Sequence, residues 1–76
     1  MEKKEIAIYT EQISLGKFLK WSGAAETGTH AKSLIQEGNV LVNGIQETRR
    51  GRMLQPGDAV ELEGEVFIVV QEDQEV

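Results

Sequence analysis

Residues 31–44 read Ala31-Lys-Ser-Leu-Ile-Gln-Glu-Gly-Asn-Val-Leu-Val-Asn-Gly44, and the spacing of apolar residues changes within this stretch. The first part has apolar residues at the i, i+3 and i+4 positions of a helix, whereas Val40–Val42 is typical of a strand. Gly38 lies between the two patterns, where a helix commonly ends. Asn43-Gly44 predicts a type I′ hairpin turn, which needs positive φ at both positions. The buried positions of the predicted helix are Ala31, Leu34 and Ile35.

A first helix is predicted upstream, from Ser14 to about Gly23. Ser14 is a natural N-cap, and Ile13 before it can pack on Phe18 as a hydrophobic staple. Gly23 suits the position just after the last turn. The short link that follows predicts two helices packed at an angle, the second capped by Thr27 or Thr29. The apolar face of the first helix consists of Leu15, Phe18 and Leu19.

Strands are predicted on both sides of the helices. Ile6–Tyr9 alternates weakly, as in an edge strand, and Pro56-Gly57 suits a type II turn. Gly64-Glu65 is the predicted turn of a second hairpin. The strands expected after the helices are Val40–Val42, Ile45–Thr48, Ala59–Glu63 and Val66–Val70. This order predicts an α+β fold with two helices packed on a small, mostly antiparallel sheet.

The length and composition are those of one small globular domain. We expect a single domain over residues 1–76, with a frayed tail over residues 71–76. The absence of cysteine excludes disulfides and thiolate chemistry. The longest apolar run, Val66–Val70, is far too short to span a membrane, and the N-terminus lacks the apolar segment of a signal peptide. A monomeric cytoplasmic protein is the expectation.

The charges are divided unevenly along the chain, which has a net charge of −5. Residues 1–13 sum to −1, residues 14–52 to +3 and residues 53–76 to −7. A basic middle can meet phosphate despite the negative total, because phosphate affinity comes from local cations. The acidic end either aids solubility or meets a basic partner.

The basic middle has its densest cluster in Glu47-Thr-Arg-Arg-Gly-Arg52. The three arginines either form a solvated turn or bind phosphate, and their density in an acidic chain favours phosphate. Lys17 and Lys20 are neighbours on the outer side of the first helix. Lys32 either joins them or pairs with Glu37 or Gln36.

The order and spacing of these segments resemble the S4 RNA-binding domain. The resemblance is carried by Ser14–Gly23, Ala31–Ile35, Gly38–Gly44 and Leu54-Gln-Pro-Gly-Asp58, and it covers about residues 13–63. Thr27-Gly-Thr-His30 and the arginine cluster look like the small free-standing bacterial group of the family, the YaaA/YbcJ-like proteins. The resemblance implies that structured RNA, ribosomal RNA above all, lies across the two helices and the neighbouring loop, in ribosome assembly or translation.

One position departs from the pattern of that family. Where the family commonly has Ser-Arg at the start of the second helix, this chain has Thr27-Gly28. Gly28 would let a phosphate approach the helix N-terminus, and the arginine loop would replace the missing cation. Changing the three arginines together to glutamate is expected to abolish binding and leave the fold intact. The candidate RNA-binding residues are Arg49, Arg50, Arg52, Lys17, Lys20, Lys32, Thr27, Gly28, Thr29 and His30.

The four aromatic residues do not predict binding by base stacking. Phe18 and Phe67 are expected inside, and Trp21, beside the apolar face of the first helix, is expected to pack rather than to stack on bases. Recognition of structured RNA by shape and phosphate contact fits better. His30 is interpreted as a hydrogen-bond donor or a bystander rather than a metal ligand or a base.

Enzyme motifs and metal-ligand spacings are absent from the sequence, so no catalysis, cofactor, metal or DNA partner is expected. The alternative is a protein-interaction adaptor whose acidic C-terminal face meets a basic ribosomal protein or an enzyme. A ubiquitin-like carrier is disfavoured because such carriers end in Gly-Gly, whereas this chain ends in Asp73-Gln-Glu-Val76.

Overall fold

The computed structural model describes residues 2–72, and these form two helices and seven strands. A five-stranded sheet has the order β1-β7-β6-β3-β4, and a two-stranded sheet pairs β2 with β5. The elements are β1 (Glu2–Ile8), β2 (Ile13–Ser14), α1 (Leu15–Trp21), α2 (Gly28–Gln36), β3 (Val40–Val42), β4 (Ile45–Gln46), β5 (Met53–Leu54), β6 (Ala59–Leu62) and β7 (Glu65–Gln71).

Pairing in the large sheet is antiparallel except between β1 and β7, which run parallel along their whole length. This confirms the predicted α+β class and the edge position of the first strand. The first strand spans Glu2–Ile8 rather than Ile6–Tyr9, because its backbone pairs residue by residue with β7 regardless of its charged side chains. The pair β2–β5 was not predicted, since two-residue strands leave no periodic signal.

The predicted caps and most of the predicted turns are confirmed. Thr27, rather than Thr29, caps α2, and Gly23 and Gly38 follow the two helices with positive φ. Asn43 and Gly44 both have positive φ, as a type I′ turn requires. Asp58 N donates to Gln55 O at 3.0 Å across the Pro56-Gly57 turn.

Three predicted boundaries in the second half of the chain are wrong. The second hairpin turns at Glu63-Gly64, both with positive φ, so that Glu65 begins β7 instead of lying in the turn. Strand β4 ends at Gln46, because the chain then turns Glu47 inward. Gln71, expected in a frayed tail, is the last residue of β7 and pairs with Ile8. Residues 73–76 of that tail lie outside the described residues.

One apolar core joins the helices to the sheet. The predicted faces of both helices are buried, as are alternate residues of β3 and β6. The largest fully buried side chain is Phe18, and Phe67 of β7 is also buried. Burial of aromatic side chains such as these is a main source of stability in so small a chain. Neither helix in the described part of the chain has the length and apolar character that crossing a membrane requires.

Candidate RNA interface

The arginine loop, residues 47–52, is attached by its backbone to the start of α1. Leu15 N donates to Arg52 O at 2.8 Å, and Gly16 N donates to Arg50 O at 3.0 Å. These bonds satisfy two of the N–H groups that a helix start leaves without partners. Ser14 is the N-cap residue, as predicted, but its side chain makes no capping hydrogen bond. The backbone of the arginine loop replaces that side-chain cap, and the loop is thereby fixed against the helix.

Gly16 permits this close approach. A Cβ atom at this position would lie 2.6 Å from Arg50 Cγ and 3.2 Å from Arg50 Cδ. Glycine is unfavourable inside a helix, so its presence in α1 was unexplained by helix propensity. The structure gives the reason, since the Arg50 side chain occupies the space that any larger residue would need.

Three cations from two distant parts of the chain meet in one surface groove. Lys17 and Lys20 come from α1 and Arg50 from the arginine loop, and all three are exposed. The groove has a volume of about 340 Å³. Among residues 2–72 these cations make no ion pair, and no acidic residue lines the groove. The remaining lining residues are Ser14, Gly16, Gly28 and Gly51. This basic groove offers unpaired positive charge to a polyanion.

The other two arginines of the loop serve a different purpose. Both bind the carboxylate of Glu47, which is the buried charged residue of the described chain, at 6% exposure. Arg49 donates from Nε at 3.0 Å, from Nη2 at 3.2 Å and from its backbone N at 3.0 Å. Arg52 donates from Nη1 at 3.1 Å. We call Glu47, Arg49 and Arg52 the Glu47 cluster.

The Glu47 cluster holds its carboxylate in the ionised form. Hydrogen bonds from the side chain and backbone of Arg49, with a further one from Arg52, lower the pKa of Glu47 from 4.5 to about 2, against the opposing effect of burial. The same contact raises the pKa of Arg49. Glu47 was counted in the sequence only as one acid near the arginines. An acid followed by arginines two and five residues later in one loop was the signal for this cluster.

The start of α2 is closed by its own side chains on one side and open on the other. Thr27 Oγ1 accepts from His30 N at 3.0 Å, and His30 Nδ1 accepts from Glu26 N at 3.3 Å. This arrangement resembles a capping box, but histidine replaces the usual acid and accepts from the residue before the N-cap. The His30 side chain is therefore a hydrogen-bond acceptor, not the predicted donor or bystander. Nothing lies within 4 Å of a Cβ placed on Gly28, and Thr29 is exposed. Gly28 therefore leaves open space beside the basic groove.

The structure thus brings together only part of the predicted set. Lys17, Lys20, Gly28 and Arg50 line the basic groove. Lys32 is exposed on α2 but does not line this groove, and the alternative pairing with Glu37 is wrong, since no such ion pair exists among residues 2–72.

Trp21 differs from its prediction. It was expected to pack in or beside the core, yet it is 56% exposed. Its Nε1 donates to Ala7 O at 2.7 Å, and its ring meets Tyr9 edge to face with centroids 6.4 Å apart. Trp21 is the last residue of α1, and its side chain contacts Ala7 and Tyr9 at the C-terminal end of β1 rather than the core.

The contacts of Arg49 and Arg52 argue against the expectation that all three arginines can be reversed without harm to the fold. Glutamate at positions 49 and 52 would leave the buried Glu47 carboxylate beside two further negative charges, with no cation to compensate it. Only Arg50 of the three lies in the groove and outside the Glu47 cluster. Reversal of the whole set would therefore confuse loss of binding with loss of folding.

Comparison with known proteins agrees with this geometry. The family model described as S4 domain matches residues 6–70, most of the chain. The chain is also similar to the probable ribosome maturation protein RlbA of Bacillus subtilis (strain 168), with 49% identity over 59 residues that cover 78% of this chain and 83% of that protein. Among residues 2–72 no three His, Asp or Glu side chains lie close enough to share a metal ion. Because the S4 domain model matches residues 6–70, the chain belongs to the S4 domain family.

Proposed function

We propose that this protein binds structured RNA through the basic groove, as part of ribosome maturation. The observation that carries the proposal is the convergence of Lys17, Lys20 and Arg50 in a chain whose net charge is −5. Membership of the S4 domain family and similarity to a protein named for ribosome maturation support it. Ribosomal RNA in the cytoplasm is the target that fits both the family and the similar protein.

The groove suits the backbone of folded RNA. It is lined by three cations, which is enough to contact more than one phosphate of the same strand. Gly28 adds an open approach to the start of α2, where backbone N–H groups and the helix dipole favour negative charge. Contacts of this kind require no catalytic group, and we propose a binding role without catalysis.

The Glu47 cluster plays a supporting part in this proposal. Arg49 and Arg52 share the single carboxylate of Glu47, so one of their two positive charges is compensated locally. Their contribution is to hold the arginine loop in the shape that presents Arg50. Thr27 and His30 act similarly, since they cap α2 and fix the position of Gly28. Thr29 and Lys32 are proposed as outer contacts, because both are exposed on α2.

The test is binding of labelled ribosomal RNA fragments, measured by fluorescence anisotropy over a range of salt concentrations. The double change Lys17→Glu with Arg50→Glu should weaken binding by roughly 100-fold or more, because it removes two cations and adds two anions to the groove. Three phosphate contacts give a log–log salt slope of roughly −2 to −3. This is shallower than the slope of roughly −3 to −5 expected from the sequence for four to six phosphate contacts.

The matched control reverses two lysines on β1. Lys3→Glu with Lys4→Glu makes the same change in net charge but lies outside the groove, and the Lys4–Glu65 ion pair that it removes is exposed. RNA affinity that falls equally in both variants would mean that only net charge matters, which would contradict a groove-specific site. If only the groove variant loses affinity, crosslinking in cells followed by sequencing of the attached RNA would identify the target.

The described acidic residues of the C-terminal third lie away from the basic groove. Those described in the C-terminal third lie on β6, β7 and their turns, and none lines the groove. They would repel RNA from that side and so orient it on the groove. A basic ribosomal protein bound to this acidic side is a further prediction, and a pulldown that survives nuclease treatment would detect it.

A further inference from the structure

A second, more apolar cavity adjoins the basic groove. It has a volume of about 390 Å³ and is lined by Ile13, Lys17, Lys20 and Trp21. Lys17 and Lys20 line both cavities, so the two lie side by side along α1. An RNA whose phosphates lie in the groove would have its next nucleotides within reach of Trp21.

Trp21 is exposed but held in place. More than half of its surface is open to solvent, while its Nε1 donates to Ala7 O at 2.7 Å and its ring rests against Tyr9 at an interplanar angle of 84°. Tyr9 is itself 53% exposed. A ring fixed in this way loses little conformational freedom when a ligand stacks on it. These two aromatic residues form a rigid surface that we call the aromatic platform.

The chemistry of the surroundings selects the occupant. Lys17 lies one helical turn before Trp21, at i and i+4, so a cation and an aromatic ring face the same side of α1. Bases offer flat aromatic faces and carry a phosphate on each side, and single-stranded nucleic acids are held by this combination of stacking and positive charge. The bases of a helical stem are already stacked on one another. The platform therefore suits a base that lies outside a stem.

We propose that the aromatic platform stacks on an unpaired base next to the stem held in the basic groove, so that the protein recognises junctions between paired and unpaired RNA. This inference rests on the proposed function, because the groove must first hold the stem. It goes further by naming the feature of the RNA that is recognised. An apolar side chain of a protein partner is the competing occupant.

The test uses the intrinsic fluorescence of Trp21, which is the only tryptophan in the sequence. Three RNAs share one hairpin stem: a blunt hairpin, the hairpin with a three-nucleotide overhang, and the same overhang with abasic positions. We expect the full overhang to quench Trp21 and to bind about fivefold more tightly than the blunt or abasic RNA. Equal affinity for all three without quenching would overturn the proposal and leave the platform to a protein side chain.

Variants separate stacking from a structural role of Trp21. Trp21→Phe keeps an aromatic ring but removes the hydrogen bond to Ala7 O, whereas Trp21→Ala removes both. The preference for the overhang should persist in Trp21→Phe and disappear in Trp21→Ala, with binding of the blunt hairpin preserved. A preference that is lost equally in both variants would contradict stacking. If Trp21→Ala fails to fold, the abasic comparison with the unchanged protein still decides.

The two proposals fail in different ways in this experiment. Absence of binding to any of the three hairpins, including the blunt one, would count against the basic groove as an RNA site. Binding of the blunt hairpin with no gain from the overhang would leave the groove proposal standing and remove only the platform.

Discussion

The basic groove and the Glu47 cluster both take arginines from residues 49–52, yet the arginines have different roles in the two regions. Arg50 lies in the groove without an ion pair among the described residues, whereas Arg49 and Arg52, on either side of it, bind a buried carboxylate. Local charge density in a sequence therefore does not measure the charge available to a ligand. The acid at the start of the loop decides which arginines are engaged.

The most direct test of this difference is to replace two basic residues by glutamate in each region. Arg49→Glu with Arg52→Glu should lower Tm by roughly 10 °C or more, because the buried Glu47 carboxylate would be left without a compensating cation. Lys17→Glu with Lys20→Glu makes the same change in net charge, but both lysines are exposed and unpaired within residues 2–72, so Tm should change little. Thermal unfolding by circular dichroism measures both. A similar loss of Tm in the two variants would show that the regions do not differ structurally.

Acid pH provides a second test of the Glu47 cluster. The pKa of Glu47 is about 2 in the folded chain and 4.5 ordinarily, so its ion pairs stabilise the fold fully above about pH 4.5. That contribution is lost as the pH falls from there toward 2, because the unfolded chain then binds a proton at Glu47 while the folded chain still holds the carboxylate ionised. We expect the difference in unfolding free energy between the unchanged protein and Glu47→Gln to shrink over this range in urea unfolding experiments. A difference independent of pH would contradict the ionised cluster.

Two glycines allow the groove itself to be changed by one methyl group. Gly16→Ala should push the Arg50 side chain aside, since the new Cβ would lie 2.6 Å from its Cγ, and should weaken RNA binding about fivefold. Its effect on stability should be small, because alanine favours the helix by about 1 kcal/mol and offsets part of the crowding. Gly28→Ala also adds a methyl group to the groove, but nothing lies within 4 Å of its Cβ, so it separates narrowing of the groove from displacement of Arg50. Anisotropy titrations and Tm measurements for both variants would show whether the position of Arg50, rather than an added methyl group in the groove, sets the affinity for RNA.

The smallest expected effect comes from restoring a cation at the start of α2. Gly28→Arg gives the chain the residue that is common at this position in the S4 family, in open space beside the groove. We expect binding about threefold tighter at low salt and a salt slope steeper by roughly one. Gly28→Gln, of similar length without the charge, is the matched comparison. Unchanged affinity and slope in Gly28→Arg would place the RNA backbone away from this end of α2.

Local signals in the sequence predicted much of the fold. The helix faces, the Thr27 cap, the glycines after each helix and the Asn43-Gly44 turn were predictable, because each depends on the conformational preferences of neighbouring residues. Even so, the two turn motifs contact each other in the fold, with Asn43 Nδ2 donating to Asp58 Oδ1 at 3.1 Å and Asn43 Oδ1 accepting from Ala59 N at 2.9 Å. That contact joins residues fifteen apart and has no local signal.

By itself the sequence determined the α+β class, the resemblance to the S4 domain and the set of basic residues from which a site could be built. Only the tertiary structure decided how those residues are divided. Glu47 turns inward and engages two arginines, Gly16 admits the third beside Lys17 and Lys20, and Trp21 is exposed against β1 rather than buried. Periodicity reports which face of an element is apolar, but it does not report which side chains from distant segments meet. The availability of a charge or an aromatic ring depends on those meetings, and therefore on the folded chain.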